Sequence, residues 1–456
     1  MRDALDRPNI ILINCDDLGF GDLSCYGSKV NDTPALDRMA AEGVRFTDFY
    51  MASPVCSPSR GAMMTGSYPP RIGFEDFDGK HVLFPGQGLG LNPDEQTVAS
   101  LLRDAGYATA HVGKWHCGDQ PEFLPTRHGF DTYYGIPYSN DMGKQRAGGD
   151  LLPPLPLLSD EQVIAVQPQQ ESITERYVER SLEFMRRNAD RPFFLYLAHM
   201  YVHIPLYVPD AFERQSRNGT YGAAVRCIDW STQALLTELK RLGLAENTLI
   251  VFTSDNGARC THGGSNGALR GTKATTWEGG QRVPCIAYWP GTIPGGRASN
   301  ELASSIDLLP TFVTLAGGES PRQPIDGLDL SDHLLGRSKQ GPRDEFVYYY
   351  RHQLEGIRDR RFKLRVARED QAKPQLYDLS ADPGEHQDIA DREPAHVARL
   401  EKRLDDYRQL LGDSWTGFSG SERRPIGRVD QPRPLVRPDE DDYLSFIAEY
   451  DLADRG

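Results

Sequence analysis

At 456 residues the chain is too long for a single small core and suits one large domain with a smaller companion. Hydrophobic residues make up 39% and charged residues 25%, as in an ordinary globular protein, and a formal net charge of -14 argues against nucleic acid or an anionic membrane surface as the main partner. No apolar run reaches the ~20 residues of a membrane-spanning helix, and seven cysteines, odd in number and without framework spacing, point to reduced thiols.

The first eight residues run straight into a short apolar segment without the long apolar core or small-residue cleavage site of a secretory leader, so cytoplasmic residence is expected over a periplasmic or secreted one. Residues 9–14, Asn-Ile-Ile-Leu-Ile-Asn, have the pattern of a strand covered on both faces. They deliver Asp16 and Asp17, followed by glycines. Two carboxylates at the end of a buried strand stand where an open α/β sheet places its ligands, the alternative being a solvated acidic loop. Thr33 and Pro34 predict the cap and first turn of a helix running through Ala40, and residues 44–49 a strand. The stretch from Ser53 to Gly73 reads Ser-Pro-Val-Cys-Ser-Pro-Ser-Arg-Gly-Ala-Met-Met-Thr-Gly-Ser-Tyr-Pro-Pro-Arg-Ile-Gly. It predicts a helix opening at Cys56 and ending at Gly66. A cysteine there sits at the positive end of the macrodipole, and Arg60 adds a fixed charge one turn on, unless Cys56 is simply a buried structural thiol. The glycine-rich residues 74–93 predict a loop near Cys56 that forms part of a substrate rim.

Residues 97–105 predict a helix closed by Gly106, and 107–112 a strand delivering Lys114 and His116, which two-residue alternation turns to one side. Residues 129–141 form a turn-rich aromatic segment, and 143–170 an irregular excursion with no assigned element. A helix over 172–187, a strand over 192–198 ending near His199 and His203, and a long helix over 221–242 follow. The strand at 249–253 empties into Asp255 and Asn256, repeating the logic of the first strand. Lys273, a strand at 285–289 and a helix at 305–316 complete the larger unit, expected to span 1–335. In 336–456, short strands at 346–350, 355–358, 362–366 and 375–379 predict a small antiparallel sheet covered by a helix over 394–411. The tail from Asp413, with one apolar patch at 443–447, reads as a surface extension or as an arm in a homo-oligomer.

Asp16, Asp17, Asp255 and Asn256 offer hard oxygen ligands, suited to Ca2+ or Mg2+. A zinc site built from Cys15, His116 and Cys117 would lack the spacing of zinc motifs.

Cys-x-Pro-Ser-Arg from Cys56, with the following Thr-Gly and Arg-x-Gly, resembles the signature of the type I, formylglycine-dependent sulfatases of the alkaline phosphatase superfamily. The run Gly-Ile-Pro-Tyr-Ser-Asn-Asp resembles the arylsulfatase A type, and Leu-Tyr-Asp-Leu-Ser-Ala-Asp-Pro-Gly-Glu the family's C-terminal hairpin. The resemblance covers residues 8 to about 411 and departs from many relatives at Cys117, where they carry Leu. It implies an alkaline phosphatase-like α/β/α sandwich with a large, mostly parallel mixed sheet, plus a smaller four-stranded antiparallel sheet with a helix. It implies one divalent metal, Ca2+ before Mg2+, on Asp16, Asp17, Asp255, Asn256 and a modified residue 56. Cys56 would be converted to formylglycine (3-oxoalanine) by a formylglycine-generating enzyme, its hydrated aldehyde acting as nucleophile. Arg60, Lys114, His116, His203 and Lys273 match the residues that hold sulfate and move protons, with Ser139 touching the sulfate. His116 would accept the proton that expels the covalent sulfate, and His203, assisted by Lys273, would be the acid toward the leaving oxygen. His199 is read as a core histidine, because His203 precedes the family's Ile-Pro. The expected activity is hydrolysis of sulfate monoesters, on a sulfated small molecule or carbohydrate. The competing readings are a phosphate or phosphonate monoester hydrolase using the same aldehyde and a non-catalytic anion-binding relative.

Overall fold

A computed structural model describes residues 7–144, 152–367 and 373–435. The apolar run near the amino end forms strand β1 (Asn9–Cys15), buried along its whole length at the middle of a ten-stranded sheet. In chain order the other strands are β2 (Val44–Phe46), β3 (Ala108–Gly113), β4 (Thr132–Gly135), β5 (Pro156–Ser159), β6 (Gln162–Val166), β7 (Phe193–Ala198), β8 (Thr248–Ser254), β9 (Cys285–Tyr288) and β10 (Arg297–Ser299). They lie in the spatial order β10-β2-β9-β8-β1-β7-β3-β4-β5-β6. The central run β8-β1-β7-β3-β4 is parallel throughout, and antiparallel pairing enters only toward the edges. The mixed sheet is therefore parallel where it carries the strand ends that matter.

Alternation along the central strands divides their side chains between two apolar layers. Ile10, Leu12, Phe194 and Val251 face one way, toward helices α2 (Cys56–Thr65), α3 (Val98–Asp104) and α6 (Leu308–Ala316). Ile11, Ile13, Leu195 and Phe252 face the other, toward α1 (Pro34–Glu42), α4 (Ile173–Arg187) and α5 (Gly219–Leu242). This is the α/β/α sandwich that the resemblance implies. A four-stranded antiparallel sheet, β11 (Glu345–Tyr350), β12 (Gln353–Asp359), β13 (Phe362–Arg365) and β14 (Gln375–Asp378), carries α7 (Pro394–Leu411). Its core is shared with Tyr50, Tyr68 and Ile306 of the larger body.

Three local readings are corrected, and the surface-extension reading of the tail holds as far as residue 435. The irregular excursion contains the hairpin β5–β6, which extends the sheet edge and whose turn is fixed by Asp160 Oδ1 accepting the Tyr133 N–H at 2.9 Å. Prolines and a non-alternating apolar run hide these strands from periodicity. Thr33 sits at the start of α1 but does not cap it; its hydroxyl donates to Asp37 (3.0 Å), and Asp229 of α5 accepts from Ala35 and Leu36 instead. The expected strand 44–49 breaks after Phe46, and Phe49–Tyr50 pairs separately with Ala303–Ser304. The tail as far as 435 crosses the larger body, pairing Arg424 with Glu95 (2.7 Å) and Gly427–Arg428 with Leu89–Gly90. Residues 443–447 lie outside the described residues.

The small sheet is fastened by buried charge. Lys363 Nζ of β13 lies 3.0 Å from Glu278 and 2.8 Å from Glu385, and Arg358 of β12 lies 3.0 Å from Asp48. Burial acts to raise the Glu278 pKa, yet Lys363, Arg282 and Arg358 together hold it below the usual carboxylate range. Removing the cation leaves uncompensated charge in the interior, so Lys363→Met should cost about 3–5 kcal/mol of stability. Urea denaturation would measure this, and a loss below about 1 kcal/mol, the range of exposed pairs, would show that the pairing does not hold the sheet.

Candidate active site

Register brings the strand ends together. Cys15 of β1 pairs with Ser254 of β8, so the next residues, Asp16 and Asp255, emerge side by side. Gly113 of β3 pairs with Ala198 of β7, and the Lys114 N–H donates to the Ala198 carbonyl at 2.8 Å. Gly113 is a site where only glycine fits: its φ is +120°, and a Cβ would lie 1.8 Å from the Ala198 oxygen. Asp17 and His116, at φ 63° and 60°, hold left-handed conformations that are uncommon for non-glycine residues, though Asp and His adopt them more readily than most. Backbone strain at two strand ends sharing a cleft directs attention to that cleft.

Ligand atoms of Asp16, Asp17, Cys56 and Asp255 all lie within 4.8 Å of one another, and all four residues are buried. Cys56 opens α2, its Sγ 3.4 Å from Asp16 Oδ1. Each carboxylate has a cation. Arg60 Nε lies 2.8 Å from Asp255 Oδ2, its Nη1 donates to the Lys114 carbonyl at 2.7 Å, and its Nη2 is 3.9 Å from Asp16. Lys114 Nζ donates to Asp16 Oδ2, and Lys273 Nζ lies 2.9 Å from Asp17 Oδ2. Burial acts to raise Asp16, but Lys114, His203, Arg60 and Lys273 hold it far below the usual range. Asp255 goes the other way: burial and the Asp16 charge push it up to about 7, against Arg60 and Lys114. Burial and Asp16 also push the Cys56 thiol well up, so the encoded side chain is a poor thiolate nucleophile.

The opposite wall is polar. Ser139 Oγ stands between Lys114 Nζ (3.4 Å) and His203 Nδ1 (3.5 Å), and His203 Nε2 is 4.0 Å from Asp17 Oδ2. Burial and Lys273 lower the His203 pKa while Asp17 and Asp16 oppose them. His116 Nε2 meets the Leu83 carbonyl at 3.0 Å, its Nδ1 is buried without a partner, and burial together with Lys114 keeps the ring neutral. Asn256 Nδ2 donates to Asp17 Oδ1 at 2.7 Å, whereas its Oδ1 is buried with no hydrogen-bond partner. Three carboxylates and an orphaned amide oxygen fit a hard divalent cation. The zinc site weighed from Cys15, His116 and Cys117 does not form, since Cys15 and Cys117 belong to apolar layers on opposite faces of the sheet; ligand atoms of Asp17, Cys56 and His203 do lie within 4.8 Å of one another, so that His203 borders the carboxylate cluster. His199 lies in the core, its Nε2 3.0 Å from Ser231 Oγ.

All eleven residues singled out from sequence thus gather at one sheet edge. Three contributors were not singled out. Ser59 Oγ donates to the Asp255 carbonyl, Ser57 Oγ accepts the Leu83 N–H at 3.1 Å, and the Leu83 carbonyl holds His116. The serines lie inside the Cys56–Arg60 segment, which was the available signal; nothing in the sequence marks a leucine backbone.

A family model described as Sulfatase matches residues 8–318, and one described as N-sulphoglucosamine sulphohydrolase, C-terminal, matches residues 272–410. Arylsulfatase A of Homo sapiens is 40% identical over 427 residues, covering 84% of this chain and 83% of that protein. N-acetylgalactosamine-6-sulfatase of Canis lupus familiaris is 42% identical over 373 residues, covering 76% and 69%. The crystal structure of Ps i-CgsB superposes with a TM-score of 0.81 at 30% identity, covering 91% of this chain and 96% of that one. Its complex with k-i-k-neocarrahexaose superposes at 0.79, covering 92% and 95%, also at 30% identity. The Cys56 helix, the carboxylate cluster and its cations all fall within the matched span, and the chain belongs to the sulfatase family.

Proposed function

We propose that this sulfatase hydrolyses sulfate monoesters of a carbohydrate or a related small alcohol, using formylglycine made from Cys56 by a formylglycine-generating enzyme and one divalent cation, Ca2+ in preference to Mg2+. The carrying observation is the buried cluster of Asp16, Asp17, Asp255 and residue 56, balanced by Arg60, Lys114 and Lys273. With one cation already beside each carboxylate, a bound divalent metal leaves an excess of positive charge for an anionic ester. Carbohydrate is favoured because N-acetylgalactosamine-6-sulfatase and the oligosaccharide-bound Ps i-CgsB are among the similar proteins. A panel of sulfated sugars, aryl sulfates and phosphonate monoesters, assayed for released sulfate or phosphonate, tests the assignment.

The residues present fit the implied groups: Asp16, Asp17, Asp255 and Asn256 would hold the cation beside residue 56. When present, formylglycine supplies a hydroxyl nucleophile from its hydrated aldehyde and the cation withdraws charge from the ester. The chain does the rest. Arg60 positions Asp255 and the strand end bearing Lys114. Lys114 and Lys273 end in ammonium groups with three donors each, able to hold sulfate oxygens as well as a carboxylate, and Ser139 orients Lys114 and His203. Burial and Lys273 hold the His203 pKa below its ordinary value, while Asp17 and an arriving anion oppose them and favour the imidazolium, the form that donates a proton to the leaving oxygen. The neutral His116, with Nδ1 unpartnered, is suited to accept the proton whose removal releases sulfate.

Chelation should abolish turnover, and Ca2+ should restore it at lower concentration than Mg2+; the reverse order would reassign the metal. His203→Ala should slow alkyl sulfates by about 10²–10⁴-fold but nitrophenyl sulfate far less, because a weakly basic leaving oxygen needs little protonation. Equal losses on both would remove His203 from the acid role. Cys56→Ser has a single hydroxyl and no geminal partner to expel sulfate. It should release about one alcohol per site and then stall, with a sulfo group at residue 56 visible by intact mass. Sustained turnover near the parent rate would exclude the aldehyde route.

A further inference from the structure

Two basic side chains at the mouth of the site are unused by this chemistry. Residues 80–84 are tied to the centre through Leu83, which bonds Ser57 and His116. His81, two residues before that anchor, is half-buried and makes no hydrogen bond or ion pair among the described residues. The small sheet brings up the turn Arg351-His352 between β11 and β12. His352 Nδ1 meets Glu75 Oε1 at 2.8 Å, pinning this turn to the start of the same loop. Tyr350 and Phe84 pack against one apolar layer with Val55 and Val202, the sequence neighbours of Cys56 and His203.

Arg351 has no hydrogen-bond or ion-pair partner among the described residues, and its Nε is buried. It also holds φ 54° in a turn where Asn or Gly is the preferred residue, a conformational cost that a solvated turn arginine would not need to bear. Burial, then Arg351, Lys273 and Lys80, lower the His81 pKa, so all three cations stand close enough to act on that ring. Lys273 therefore belongs to both neighbourhoods, bonding Asp17 on one side and bearing on His81 on the other.

We propose that Arg351 and His81 form a second anion subsite beside the sulfate-binding lysines, so that the preferred substrates carry another anionic group on the alcohol portion. The inference rests on the sulfatase reading above. A chain of net charge -14 repels polyanions at long range, and a guanidinium that lies over the Tyr350 ring but pairs with no carboxylate among the described residues is the local feature able to reverse that. A sulfate or a carboxylate would meet the same donors.

The test compares three disaccharides: one monosulfated and otherwise neutral, the same sugar with a second sulfate, and the same monosulfate with a uronate as its other unit. For the parent protein, kcat/KM on at least one dianionic sugar should exceed that on the neutral sugar by about tenfold, and the better dianion identifies sulfate or carboxylate. Arg351→Ala should collapse that ratio toward one by raising KM for the dianion, Arg351→Lys should restore part of it, and His81→Ala should have a smaller effect in the same direction. Equal kcat/KM on all three sugars, or an equal proportional loss on neutral and dianionic sugars in Arg351→Ala, would overturn the subsite. Failure to hydrolyse any sulfate ester, 4-nitrophenyl sulfate included, would instead overturn the sulfatase reading and this inference with it.

Discussion

Like charge held in a dry place is the constraint on which this structure turns. The strand ends of β1 and β8 bring Asp16, Asp17 and Asp255 within 4.8 Å of one another, out of contact with bulk water. Two such charges repel by about 4 kcal/mol at the effective dielectric of a protein, and desolvation adds to the penalty. Asp255 bears the strain of this arrangement, its pKa pushed up by burial and the Asp16 charge against Arg60 and Lys114. Arg60 explains itself in these terms. It is fully buried on α2, yet it reaches Asp255, approaches Asp16 and binds the backbone at Lys114, so one side chain joins the Cys56 helix to two strand ends. An arginine is suited to this because its planar fork serves several acceptors without losing its charge.

The smaller sheet takes part in the same arrangement. Lys363 and Arg358 cross to Glu278 and Asp48 on the larger body, and Glu278 follows Lys273 by five residues. The Lys273 segment is held on its other side by Lys273 N–H to the Ala258 carbonyl (3.0 Å) and Ala274 N–H to the Pro54 carbonyl (2.9 Å), just ahead of Cys56. A lysine that places its ammonium on a buried carboxylate at the end of a long stem needs a fixed backbone beneath a flexible side chain. Packing the small sheet against this segment provides the first, and the four-carbon stem provides the second.

Local patterns along the chain determined a good deal. Buried apolar runs predict the central parallel strands because a strand covered on both faces cannot alternate polar with apolar, and the residues that follow those runs became the site. The 394–411 helix is read to the residue, with Pro394 in its first turn and Gly412 after its last. The Cys56–Arg60 segment, with its family resemblance, led to the chemistry.

Tertiary structure alone decided which charge meets which. Lys273 bonds a carboxylate 256 residues away and Arg60 one 195 residues away, and no local periodicity carries such pairings, because they depend on how strands from distant segments come into register. The same reason hid the cap of α1, where Asp229 from another helix replaces the adjacent threonine, and the β5–β6 hairpin, whose strands form by pairing onto an existing edge. It also hid the turn that carries Arg351. From sequence it is a turn between two short strands; only the packing of the small sheet and the His352–Glu75 contact set it beside the loop that reaches Cys56. Periodicity reports what one segment can bury, whereas a site of opposed charges is set by what several segments bury together.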